Sequence, residues 1–187
     1  MGESPDEMLI KQCISGSKAA YATLVQRYQR PIYNLAYRMS GEEEAAKDIA
    51  QESFVAAYSS LKTFKGKARF STWLYQITLN KCRDYLKNKR SNDLCVIDPD
   101  LPLVSEGADP EYRLKAKEQD KAIQQALRMM PPKYRELLIL KHIEELDYKE
   151  MAELLGLSLA NLKVRTHRAR EMFKEILKRE GIGIGET

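Results

Sequence analysis

At 187 residues, with 43% apolar and 31% charged content, the chain can pack one large or two small domains and is too polar for a membrane-embedded protein. No apolar run approaches the ~20 residues of a membrane span. The opening MGESPDEMLIKQ lacks the basic and apolar segments of a secretory signal, so a cytoplasmic address is expected. Three scattered cysteines (Cys13, Cys82, Cys95), two histidines and no C-x-x-C argue against disulfides and metal sites, and no cofactor is expected.

In chain order, Asp6 is placed to cap a short helix through Ile14, which the Ser15-Gly16-Ser17 turn ends. A second helix spans about 18–39, with Tyr21, Leu24, Val25, Tyr28, Ile32, Leu35 and Ala36 on one stripe. Pro31 is expected to kink or divide it, and Gly41 to stop it. Glu42, Glu43 and Glu44 favour a new helix N-terminus, giving a third helix over about 43–61. One side of it carries Ala46, Ile49, Ala50, Ser53, Phe54, Ala57 and Leu61. The other carries Asp48, Gln51, Glu52 and Val55. A basic loop over 62–69 leads to the stretch that organises the chain.

That stretch, FSTWLYQITLNKCRDYLKNKR (70–90), reads as one helix with Ser71 or Thr72 as N-cap. Leu74, Tyr75, Ile77, Leu79, Cys82, Tyr85 and Leu86 form its apolar face. Trp73, Gln76, Asn80, Arg83 and Lys87, at steps of three and four, form a separate stripe. An aromatic plane, two amides and two cations suit single-stranded nucleic acid, where bases stack on rings and phosphates meet cations. Residues 62–90 hold nine Lys or Arg against Asp84 alone.

Beyond Arg90 the periodicity fails. SNDLCVIDPDLPLVSEGADPEY holds three of the seven prolines, six acids and no base, and reads as an extended linker. No strand alternation occurs anywhere, so the expected class is all-α: two helical domains joined by an extended acidic linker. Helices follow over about 110–129 and 133–143, divided by Pro131-Pro132. Asp147 with Glu150 three residues on forms a capping box for a helix over 148–155. Gly156 then permits a left-handed turn, and Ser158 caps a last helix to about Arg179. This is the helix-turn-helix plan, with Leu157 and Leu162 as wedge. The first turns of the last helix, which enter the major groove in that motif, present Asn161, Lys163, Val164, His167 and Arg168. Arg168 or Lys163 suit a guanine edge, and Arg165 and Arg170 suit phosphates. Residues 159–179 carry seven Lys or Arg against Glu171 and Glu175.

Three runs, DIAQESFVAAY (48–58), the 70–90 helix, and LRMMPPKYRELLILKHIEELDYKEMAELLGLSLANLKVRTHRARE (127–171), resemble bacterial RNA polymerase sigma factors of the extracytoplasmic-function group. The resemblance spans nearly the whole chain in order. It implies a region 2 over 1–91, a linker over 92–112 that threads through the polymerase, and a region 4 over 113–187. Asp48, Gln51, Glu52 and Val55 would then dock on core RNA polymerase. Phe64, Lys67, Arg69, Trp73, Gln76, Ile77, Asn80, Arg83 and Lys87 would hold the −10 element as single strand. A flipped base would enter a pocket near Phe64, Ile77 and Asn80. Ser158, Asn161, Lys163, Val164, Arg165, His167, Arg168 and Arg170 would bind the −35 duplex. The resemblance also implies an anti-sigma factor partner, through which the protein could be tethered to the membrane without inserting itself.

Two departures stand out. Ala160, Asn161 and Leu162 replace the Gly-Thr-Val common in family recognition helices. The loop KTFKGKARF is particular to this chain, so promoter preferences do not carry over. An ordinary helix-turn-helix regulator would explain 147–179 but neither the Trp73 stripe nor the acidic helix. A protein adaptor would make the cations irrelevant to DNA. No phosphate loop, metal spacing or nucleophile–base pair supports an enzyme.

Overall fold

The computed structural model describes residues 5–66, 68–92 and 110–181, without the side chains of 90–92 and 110–119. Lys67 and residues 93–109, which hold most of the expected linker (92–112) and Cys95, lie outside the described residues. Eight helices are described and, among these residues, no strand: α1 (Pro5–Ile14), α2 (Lys18–Ser40), α3 (Glu43–Ser60), α4 (Phe70–Asn92), α5 (Pro110–Met129), α6 (Pro132–His142), α7 (Tyr148–Leu155) and α8 (Leu159–Arg179). A 3-10 turn at Leu61–Thr63, which local pattern does not announce, follows α3.

Helices α1 to α4 pack together. The Ser17 hydroxyl accepts from Ala20 N at 3.2 Å to start α2. Helix α2 then runs unbroken past Pro31. An interior proline costs about 3 kcal/mol, and Leu24, Ile32, Leu35 and Ala36, all fully buried around it, offset that cost. At the other end Gly41 takes the left-handed conformation (φ 78°), its N–H returning to Tyr37 O at 2.8 Å. The buried face of α3 is small, with Ala46, Ala50, Ser53 and Ala57, so α2 and α4 can approach it closely. Leu74, Leu79 and Cys82 of α4 are fully buried, and burial pushes the Cys82 thiol up to about 12, so it packs as an inert small hydrophobe.

Two expected caps differ. Asp6 takes bonds from Arg27 and Tyr28 and so ties α1 to α2. Helix α4 begins at Phe70, and Trp73 N bonds to Arg69 O at 3.1 Å. Ser71 and Thr72 therefore stand inside the first turn rather than at the cap.

Helices α6, α7 and α8 pack on each other and α5 on α8, and this group also rests on α2 and α4. At the end of α2, the buried Arg135 guanidinium donates to Met39 O, and also to Arg128 O (2.8 Å) and Met130 O (3.1 Å) of its own group. Gln124 donates to Tyr37 O at 3.1 Å, and Arg38 meets Asp120 and Gln124.

Candidate nucleic-acid and partner interfaces

The stripe of α4 forms as its spacing requires. Gln76, Asn80 and Lys87 are exposed, and Trp73 and Arg83 are half-buried. Ile77 turns inward against the core. Arg83 donates to Asn80 Oδ1 at 3.0 Å, so amide and cation are held as a unit.

In front of this stripe stand the α6–α7 residues. Arg83 Nε and Nη2 meet Glu136 Oε2 at 3.0 and 2.9 Å. Arg69, otherwise well exposed, approaches Glu150 at 3.3 Å. The Tyr75 hydroxyl donates to Glu144. Burial pushes the Glu136 carboxyl up, with Arg83 pulling against it; burial likewise raises Glu144, with the Tyr75 bond opposing.

A pocket of about 210 Å³ opens beside the first turn of α4. Its walls include Phe64, Lys65, Thr72, Trp73 and Gln76, and Glu153 and Leu154 of α7 close one side. Phe64, Phe70 and Trp73 form an aromatic cluster with centroids 5.1 to 5.9 Å apart. The three residues expected around a flipped base, Phe64, Ile77 and Asn80, do not share this cavity. Phe64 lines the cavity, but Ile77 and Asn80 do not, because one packs inward and the other binds Arg83.

Asp48, Gln51, Glu52 and Val55 are all exposed on α3 and line one depression of about 410 Å³ with Ala56 and Lys81, where Lys81 pairs with Glu52 at 2.9 Å. Gln51 and Val55 also border a larger groove of about 960 Å³ between α2 and α3, walled by Tyr21, Val25, Phe54 and Tyr58. Sequence reading missed this groove. Its signal was Val55 and Tyr58, 61% and 45% exposed, of which the reading of that face named Val55 but not Tyr58.

The helix-turn-helix is built by its caps. Asp147 Oδ1 accepts from Lys149 N (2.7 Å) and Glu150 N (2.8 Å), and Glu150 Oε2 in turn accepts from Asp147 N (3.1 Å). Those backbone donors hold the Asp147 carboxyl below its usual range. Gly156 turns left-handed at φ 63°, and Ser158 accepts from Asn161 N at 3.3 Å. Met151, Leu154 and Leu162 fill the wedge. Asn161, Lys163, Val164, His167, Arg168 and Arg170 are exposed along α8, and Arg165 is half-buried. Asn161, expected at a base or phosphate, accepts from Arg165 Nε at 2.9 Å and so aims that guanidinium. Arg170 Nε donates to His142 Nε2 at 3.2 Å. Burial and the neighbouring cations Arg170 and Lys141 lower the His142 pKa, keeping the ring a neutral acceptor.

The Sigma-70 region 2 family model matches residues 24–92, and the Sigma-70 region 4 model matches residues 120–173. The chain is 35% identical over 179 residues to the ECF RNA polymerase sigma factor SigW of Bacillus subtilis, covering 90% of this chain and 95% of that protein. It is 29% identical to the RNA polymerase sigma-H factor of Pseudomonas aeruginosa, covering 94% and 95%. Among solved structures, CnrH in complex with the cytosolic domain of CnrY superposes with a TM-score of 0.71 at 26% identity, covering 94% of this chain and 99% of that one. The sigma factor RpoE of Bartonella quintana, in complex with the anti-sigma factor NepR, shares the fold with a TM-score of 0.68 at 20% identity, covering 84% and 96%.

Proposed function

The chain belongs to the extracytoplasmic-function group of RNA polymerase sigma factors, and we propose how its surfaces share the work of starting transcription. As a sigma factor it is an initiation subunit, not an enzyme: it binds core RNA polymerase and directs it to promoters. The observation that carries the assignment of parts is the presence, on separate faces, of an acidic depression, an aromatic-cationic stripe and a basic recognition helix.

Asp48, Gln51, Glu52 and Val55 dock on the core enzyme, where complementary charge steers the encounter. The α4 stripe, with Arg69, Phe64 and Lys67, holds the −10 element as single strand. Trapped, unpaired bases lower the free energy of the open promoter, so melting draws on binding energy rather than ATP. Helix α8 reads the −35 duplex: Arg168, Lys163, Val164 and His167 reach base edges, and Arg165 and Arg170 hold phosphates. The molecule works in the cytoplasm. An anti-sigma factor holds it inactive, a reading supported by the anti-sigma complex of its fold relative from Bartonella quintana.

Purified core polymerase, this protein and a genomic promoter library test the assignment. Transcripts that start downstream of one shared pair of elements, and only when the protein is added, are expected. No new starts, with duplex DNA still bound by the protein alone, would favour a free-standing regulator.

A further inference from the structure

Thr72 is a buried polar residue with nothing to bond. It is 3% exposed, and its hydroxyl oxygen has no partner among the described residues. The other buried threonines do bond: Thr78 Oγ1 donates to Leu74 O at 3.0 Å and Thr166 Oγ1 to Leu162 O at 2.9 Å. A buried hydroxyl left unpaired destabilises a fold, and a partner from outside the packed chain would remove that cost. Thr72 forms part of the wall of the 210 Å³ pocket beside α4.

The rest of that wall says what fits. Phe64 and Trp73 have centroids 5.1 Å apart at 48°. Stacked carbons sit about 3.5 Å apart, so no ring slides between these two; they form an apolar wall against which one planar ring can lie. Gln76 adds an exposed amide and Lys65 a cation at the rim. An aromatic wall, a hydroxyl, an amide and a cation match one extruded nucleobase with its phosphate.

We propose that Thr72 is a specificity-determining residue of the −10 site: its hydroxyl, with the Gln76 amide, bonds the edge of a single flipped base held against Phe64 and Trp73. This rests on the single-strand reading of α4 above and adds the group that selects the base. The hydroxyl gains its partner only when the base arrives, and a base that cannot bond it leaves it unpaired. Glu153 and Leu154 occupy the open side of the pocket in this arrangement, so the base enters once α7 has moved away.

The test uses holoenzyme made from core polymerase and full-length protein, with promoter bubbles that vary one −10 base at a time. Thr72→Val keeps the shape and removes the hydroxyl. Thr72→Ser keeps the hydroxyl. Wild type and Thr72→Ser are expected to prefer one base at one position by about tenfold. Thr72→Val is expected to lose that preference while its melting temperature stays level or rises, since an orphaned hydroxyl has gone. A Thr72→Val protein that keeps the preference overturns the proposal and leaves the single-strand reading standing. A uniform loss of affinity with the preference intact also overturns it, since that is a packing effect. Wild-type holoenzyme indifferent to every −10 base also overturns it, and one that gains no affinity from the bubble's single strand sinks the single-strand reading itself.

Discussion

Helices α6 and α7 pack against the face of α4 to which we assign the −10 strand, and on that assignment the two compete for it. Glu136 accepts from Arg83, Glu144 from Tyr75, and Glu153 and Leu154 close the pocket. Replacing both carboxylates, as Glu136→Gln with Glu144→Gln, weakens the contact without removing volume. The Glu136 side chain is 10% exposed and that of Arg83 40%, so the pair lies between the surface and buried cases. We allot about 1 kcal/mol to it after solvent screening and about 1 kcal/mol to the tyrosine bond. The sum, about 2 kcal/mol, corresponds to roughly 30-fold in the closed-to-open equilibrium. Because strand affinity is reduced by the fraction of molecules that are closed, the free protein should gain affinity by up to that factor. Fluorescence anisotropy of a labelled −10 single strand, titrated with wild type and double variant at several salt concentrations, measures it. Equal affinities for two equally folded proteins would refute the competition and reduce these contacts to ornament on the surface.

Other outcomes follow from the same geometry. The two raised carboxyls set an unusual pH dependence: a folded pKa above the ordinary 4.5 means the folded chain holds the proton more tightly than the unfolded one. Their stabilising contribution is full below pH 4.5 and is lost as pH climbs through the raised values, and urea midpoints of the Gln double variant should lack that decline. Gly41→Ala should cost about 1–2 kcal/mol by thermal melting, because its φ is 78° and a Cβ would meet the Arg128 side chain at 2.7 Å; no loss would contradict the left-handed cap. Arg168→Ala should alter the ranking of −35 variants in transcription assays, whereas Arg170→Ala should weaken all of them alike and lower the salt slope by about one.

Local rules placed the helices well where caps and periodicity coincide. Asp147, Glu150, Gly156 and Ser158 each do what their types suggest, since a cap is decided by four or five neighbouring residues. Ser71 and Thr72 misled as a cap because the chain enters α4 two or three residues early, at Phe70, where the aromatic cluster anchors it. The α4 and α8 stripes were legible because 3.6-residue spacing fixes a face. Contacts between distant helices were not. Arg135 sits in the run YRELLILKH with no local sign that its guanidinium reaches across to Met39 O. Glu136, beside it, reads as a solvated charge until α4 is brought against it.

The end of α2 is gripped largely through its own peptide carbonyls, those of Tyr37 and Met39, by Gln124 and Arg135. Every helix end has such carbonyls, and water serves them as well as an amide or a guanidinium does. When the two halves part, this seam is wetted rather than stripped to bare hydrocarbon. The polar bonds of this seam therefore have a ready replacement in water, unlike the buried apolar side chains, such as Met39, Leu127 and Met130, of the core cluster beside it. On the proposed role, in which α7 moves off the −10 face, these polar bonds of the seam break and re-form with water as their alternate partner.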